Sequence, residues 1–328
     1  MAIVKYWQAI NSGLAEEMER DPSVFVLGED AGEVGGAFGA TKGLADRFGA
    51  NRVRDTPISE AAIAGVALGA AMSGSRPVAE IMYMDFMTLA MDQLVNQAAK
   101  ISYMSAGKYS APMVVRTLVG AGRETGPQHS QSFEMWLGSV PGLKVVWSSS
   151  PADAKGLLKS AIRDDSPIVV IESLSLWSLR GEVPEGIDEL VPIGKANVMR
   201  AGTDVTVVAW GAAVHRALAA ADQLAPEISV EVVDLRTISP VDEETILSSV
   251  ARTGRLVVVH DAPSPYGPGA EIAALTVERA FFDLKAPVRR VTAPFAPIPF
   301  SPNLEKAYFP QVDDIVSAIN EVLQKGTK

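Results

Sequence analysis

Two series of short β-branched runs, each alternating with stretches of helical period, constrain this 328-residue chain more than any other feature. A strand buried on both faces reads as an almost continuous run of Val, Ile and Leu, and parallel neighbours need a crossover long enough to hold a helix. In the first series "SVFVLGED" (23–30), "PVAEI" (77–81), "PMVVRT" (112–117), "LKVVW" (143–147) and "PIVVIE" (167–172) read as strands. Helical patterns cover 6–20, 59–73, 88–105 and 152–164. A connector rich in Pro, Gly and acids, "RGEVPEGIDELVPIGKA" (180–196), leads to a second series: "DVTVVAW" (204–210), "ISVEVVDL" (228–235), "RLVVVHD" (255–261) and "PVRRVT" (287–292). The alternation predicts an α/β fold in two domains, 1–185 and 186–328, each with a mostly parallel sheet and flanking helices.

With 48% hydrophobic and 21% charged residues, the chain can bury a core in each domain. Its formal net charge of -10 argues against a nucleic-acid partner, because phosphate backbones are bound by clustered Lys and Arg. Basic protein partners suit it better. The absence of cysteine excludes disulfides and thiolate chemistry, and three scattered histidines offer no zinc site. The start, "MAIVKYWQAINSGLAEEMER", looks like neither a signal nor a transit peptide, and no apolar run reaches membrane-spanning length. The expectation is a soluble cytoplasmic protein.

Two glycine-dense segments follow predicted strands: "GEDAGEVGGAFGATKGL" (28–44) and "LVGAGRETGPQHSQSFEMW" (118–136). Loops beyond the carboxyl ends of parallel strands are where open α/β sheets bind ligands, so both are candidate site walls. The glycines at 28, 32, 35, 36, 39 and 43 never fall into G-x-G-x-x-G order, and no phosphate-loop pattern occurs. A flexible or partner-contacting loop is the simpler reading of the first.

Glu60 heads a run from Ala61 to Ser75 that carries no charge. With Ser59 as N-cap it would sit in the first helical turn, where a carboxylate complements the dipole, and this alone could account for it. Yet the helix behind it, "AAIAGVALGAAMSG", is apolar on every face and rich in small residues, as expected of one buried all round at a close helix or subunit contact. An acid at the mouth of such an element would be partly desolvated, a setting in which carboxyl groups take part in proton transfer. The residues by themselves leave both readings open. They also leave Ile58 and Phe86 as ordinary core candidates, His129 in "GPQHSQ" as a polar-loop histidine, and His215 and His260 as structural or interfacial.

The ordered blocks "DTPISE", "RPVAEIMYMDF", "MDQLVNQAAK", "GPQHSQSF", "PGLKVV", "DAKGLLKSAIRDDSP", "VDLRTISPVD" and "TGRLVVVH" closely resemble the beta subunit of the thiamine-diphosphate-dependent decarboxylase component of 2-oxo acid dehydrogenase complexes. That family includes the pyruvate, branched-chain and acetoin dehydrogenases, and the resemblance runs from about residue 4 to residue 320. It implies a pyrimidine-binding domain followed by a transketolase C-terminal-like domain. It further implies that Glu60 bonds the aminopyrimidine nitrogen of thiamine diphosphate, favouring the imino tautomer that activates the cofactor, with Phe86 stacked on the ring and Ile58 lining it. His129 would face the substrate carbon and assist acyl transfer to a lipoyl arm. Carbonyls of Ala161, Ile162 and Asp164 match positions around a structural potassium ion, although Ser166 stands where Asn is common. The family's G-D-G motif for magnesium and the diphosphate occurs nowhere in this chain. The resemblance therefore implies an alpha subunit that supplies those ligands in an alpha2beta2 heterotetramer, and a lipoyl-bearing acyltransferase core as acceptor. Two other roles are weighed beside it: a subunit of a split transketolase acting on sugar phosphates, and a non-catalytic assembly subunit. Departures from the family pattern fall at Ala62, Asp261 and Pro268.

Overall fold

The structure, a computed structural model, describes residues 1–324. Its contacts divide the chain into two compact units, Met1–Gly120 with Trp136–Ile193, and Ala121–Met135 with the chain from Gly194 onward. The second unit thus takes the 121–135 segment from the middle of the first half.

In the first unit the strands are β1 (Ala2–Lys5), β2 (Val24–Gly28), β3 (Val53–Asp55), β4 (Arg76–Tyr83), β5 (Val114–Val119), β6 (Lys144–Trp147), β7 (Ile168–Ser173) and β8 (Arg180–Val183). Six of them run parallel in the order β6-β7-β5-β4-β2-β3. Their β-branched side chains are buried on both faces, as in Val24, Val26, Val78, Val115 and Val169. β1 and β8 form a separate antiparallel pair, so residues 180–183, read as connector from the sequence, are a strand.

Helices fill the crossovers. The 88–105 pattern is not one α-helix: Met87–Met91 and Ala99–Met104 flank a π-helical stretch, Asp92–Ala98. Ala90, Leu94 and Ala98 are buried, and the wider turn keeps that every-fourth-residue spacing on one face. The helix Glu60–Met72 buries Ile63, Ala64, Ala67, Leu68 and Ala71, while Ala61, Ala62, Val66, Gly69 and Met72 are exposed. It is therefore not buried all round within this chain. Composition conceals the open face because no polar residue marks it.

The second unit holds β9 (Asn197–Arg200), β10 (Val205–Ala209), β11 (Val230–Asp234), β12 (Thr237–Ser239), β13 (Leu256–Pro263) and β14 (Arg289–Ala293). Five make a sheet in the order β14-β13-β10-β11-β9, parallel except for β9. Val205, Val207, Val232 and Val257 pack with Ile315 and Ile319 of the helix Val312–Gln324 to form its core. Pro268, one of the departures noted above, opens the helix Pro268–Ala280, where the missing N–H costs nothing.

Candidate functional site

Adjacent parallel strands β3, β2 and β4 all end at one edge of the first unit's sheet, and three segments leave from it: Glu29 after β2, Thr56–Glu60 after β3, and Met84–Phe86 after β4. The Thr56 amide donates to the Gly28 carbonyl at 3.0 Å, which ties the first two segments together. Glu60 is half-buried at the first position of its helix. The helix starts by the Ile63 amide bonding the Ser59 carbonyl at 2.9 Å, and the Ser59 hydroxyl does not cap it, contrary to the sequence reading. Burial pushes the neighbouring Glu29 carboxyl up, with Asp30 and Glu60 adding to the effect. Two acids thus face one electrostatic environment at the sheet edge; the sequence reading named only Glu60.

Ile58 lies beside Glu60 with 74% of its surface exposed, an unusual setting for a branched apolar side chain two residues from an acid. Phe86 is half-buried and meets Tyr83 edge-on, ring centroids 6.0 Å apart. Tyr83 in turn meets Phe38 at 5.7 Å, and the Trp177 indole N–H donates to the Phe38 carbonyl at 2.8 Å. Phe38 belongs to the glycine-dense 28–44 segment, which is held in place rather than loose. The Asp55 carboxylate accepts from the amides of Gly32 at 2.6 Å and Glu33 at 3.3 Å, and the Thr41 hydroxyl donates to the Ala31 carbonyl at 2.7 Å. Asp55 opens the D-T-P-I-S-E motif, so one motif both fastens this loop and starts the Glu60 helix. One sheet edge thus carries a half-buried carboxylate, an exposed Ile58 and, on the segment after β4, a half-buried aromatic ring, residue types suited to a flat heteroaromatic group with a basic nitrogen.

His129 lies in the 121–135 segment of the second unit, half-buried. Its carbonyl accepts from the Thr125 hydroxyl at 3.1 Å. At the end of that segment Glu134 is fully buried, and its Oε1 accepts from the Trp210 indole at 3.4 Å. Its other oxygen meets no partner among the described residues. Burial pushes this carboxyl up to about 7, and Asp261 adds to the rise. Because the folded value lies above the ordinary one, protonated Glu134 stabilises the fold fully below 4.5, and that contribution is lost as pH rises through about 7. The difference is on the order of 3 kcal/mol. In thermal melts from pH 5 to 8, Glu134→Gln should remove this part of the decline in midpoint, whereas parallel slopes for the two proteins would contradict it. Nothing in "QSFEMW" distinguished this acid from a surface one.

His260 is buried and stacked on Trp210 at 5.0 Å. Burial lowers it to about 3, so it is neutral. A Cβ at Gly269 would come within 2.6 Å of its Nε2, which explains a glycine there. Asp261 pairs with Arg216.

Ala161 and Ile162 are buried and Asp164 half-buried at the end of the helix Pro151–Arg163. The guanidinium of Arg76 donates to the carbonyls of Ile162 at 3.0 Å and Asp164 at 2.9 Å, and pairs with Asp165. The Asp164 amide donates to the Ala161 carbonyl at 3.3 Å, and Lys144 sits 2.6 Å from the Asp164 carboxylate. Two protein cations thus serve this turn. No helix among the described residues is long and apolar enough to cross a membrane.

Comparison with known proteins also divides the chain in two, but keeps the 121–135 segment with the first part. Residues 3–178 match the transketolase pyrimidine-binding domain and residues 194–315 the transketolase C-terminal domain. The chain is 48% identical to the beta subunit of acetoin:2,6-dichlorophenolindophenol oxidoreductase of Cupriavidus necator, covering 97% of each chain. It is 45% identical to the beta subunit of 2-oxoisovalerate dehydrogenase of Bacillus subtilis, over 99% of this chain and 100% of that one. It is 47% identical to the mitochondrial beta subunit of the pyruvate dehydrogenase E1 component of Dictyostelium discoideum, over 97% and 90%. Among solved structures, a split-gene transketolase described as an inactive beta4 tetramer superposes with a TM-score of 0.79 at 23% identity, covering 98% of this chain and 99% of that one, a likeness of fold.

Proposed function

The chain belongs to the family of beta subunits of 2-oxo acid and acetoin dehydrogenases, built from transketolase pyrimidine-binding and C-terminal domains, and on that premise we propose that it is half of a decarboxylase whose thiamine diphosphate is shared with an alpha subunit. What supports the reading is that the segments carrying Glu60 with exposed Ile58, and Phe86, leave the same edge of a parallel sheet. Thiamine diphosphate, when bound, supplies a nucleophilic carbon and an electron sink for decarboxylation. Glu60 would share a proton with the aminopyrimidine nitrogen, and Ile58 and Phe86 would keep water from the ring. His129 would hold or donate a proton near the substrate carbon.

The open face of the helix Glu60–Met72 supports a partner chain at the same edge. Magnesium and the diphosphate fall to that alpha subunit, since the G-D-G motif is absent here. A potassium ion at the 161–164 turn would share the carbonyls of Ile162 and Asp164 with the Arg76 guanidinium. Transfer of the acyl group to a lipoyl-bearing core and a cytoplasmic location complete the proposal.

The acetoin, branched-chain and pyruvate relatives share 48%, 45% and 47% identity with this chain, too close together to choose a substrate. Co-expression with the alpha subunit, followed by turnover of acetoin, pyruvate and 3-methyl-2-oxobutanoate, is expected to give activity with one of them only in the assembled complex. Tight thiamine diphosphate binding and turnover by the beta chain alone would refute the shared site. Turnover of xylulose phosphate instead would point to the transketolase role.

A further inference from the structure

We propose that Glu305 is the positioning residue for the loop that carries His129, an inference that rests on the role given to His129 above. Glu305 lies in the helix Pro302–Tyr308 and is 3% exposed. Its Oε1 accepts the Gly122 amide at 3.1 Å and its Oε2 the Glu124 amide at 2.9 Å. Gly122 and Glu124 both have left-handed backbone, with φ of 79° and 58°. The amides of 122 and 124 turn toward a common point, and the anion held there is a carboxylate of the same chain. Glutamate at a positive φ is disfavoured, so the conformation persists only where its surroundings impose it.

Contacts lead from that anchor to His129 without a gap. Thr125, next in sequence, shares a 2.5 Å hydrogen bond with the Ser130 hydroxyl and donates to the His129 carbonyl at 3.1 Å. Gly126, with φ of 76°, leaves room for the Phe300 ring, which a Cβ there would approach to 3.0 Å. Glu305 and Phe300 thus grip the loop from one stretch of chain. The two converging amides need two acceptors. A carboxylate provides both, whereas a carboxamide would set an N–H against an N–H.

The test uses the assembled complex with its alpha subunit, with Glu305→Ala, Glu305→Gln, His129→Ala and the His129→Ala/Glu305→Ala double variant. Hydrogen exchange of the 121–135 peptide should accelerate about tenfold in Glu305→Ala, and less in Glu305→Gln. The kcat on whichever of pyruvate, acetoin or 3-methyl-2-oxobutanoate is turned over should fall about 100-fold, while the KM for thiamine diphosphate stays the same. The double variant should be no slower than His129→Ala alone, because both changes disable one device. Unchanged exchange and kcat in Glu305→Ala, or losses that multiply in the double variant, would overturn the proposal. Full turnover by His129→Ala with a loosened loop in Glu305→Ala would remove the role given to His129 and leave the anchoring intact.

Discussion

Glu60→Gln in the assembled complex should lower turnover about 100- to 10,000-fold, the range for removing a positioned proton-transfer group. The amide keeps the size and shape of the side chain, so helix and assembly should survive. What it loses is the capacity to share a proton with a ring nitrogen. Thiamine diphosphate should still bind within about tenfold of its former affinity, since the diphosphate end is proposed to be held elsewhere. The measurement is steady-state turnover beside calorimetric binding of the cofactor. Unimpaired turnover would mean that Glu60 is only the first-turn acid of its helix, the plain alternative its position always allowed.

Arg116→Ala should be the most damaging change to the first unit's fold, at about 3–5 kcal/mol and on the order of 10 °C in melting temperature. Arg116 is fully buried on β5, bonded to Glu80 on β4 at 2.6 Å and to both oxygens of Glu172 on β7 at 2.8 Å. Burial works against its charge, but Glu172 and then Glu80 outweigh that and push the guanidinium up. Without it, two carboxylates would lie buried on the strands either side of β5 with no counterion. Burial already pushes the Glu172 carboxyl up, and without the guanidinium it would go higher, so the loss should deepen as pH rises above about 4.3. Replacing all three by apolar residues should recover much of the stability, which would show that the damage comes from unmatched charge. Melts at two pH values check both statements.

The parallel strands were legible because burial on both faces writes itself as runs such as "MVVRT" and "PIVVIE". The helix at 6–20 appears as Tyr6–Arg20 without revision. Short strands such as β1, β3 and β8 were missed, since their pairing is decided by distant partners rather than by local pattern. The π-helical turn at Asp92–Ala98 was hidden for a related reason: its residues are ordinary helix formers.

Glu60 stood out as the acid before an uncharged run, whereas Ile58 and Phe86 stood out only through ordered motifs, since the segments after β3 and β4 meet at one sheet edge only once the strands are ordered. Glu29, Glu134 and Glu305 gave no signal, because a carboxylate's surroundings are a property of the folded chain. Arg76 drew no reading in the sequence, yet its guanidinium donates to the carbonyls of Ile162 and Asp164.

The hold of Glu305 on residues 122 and 124 joins positions 183 and 181 apart. On the ribosome the loop therefore emerges long before the group that seats it, and it waits unfastened while nearly all the remaining chain is made. A message cut short just upstream of position 305 would yield a product whose early strands can still pair, yet whose histidine loop never sets.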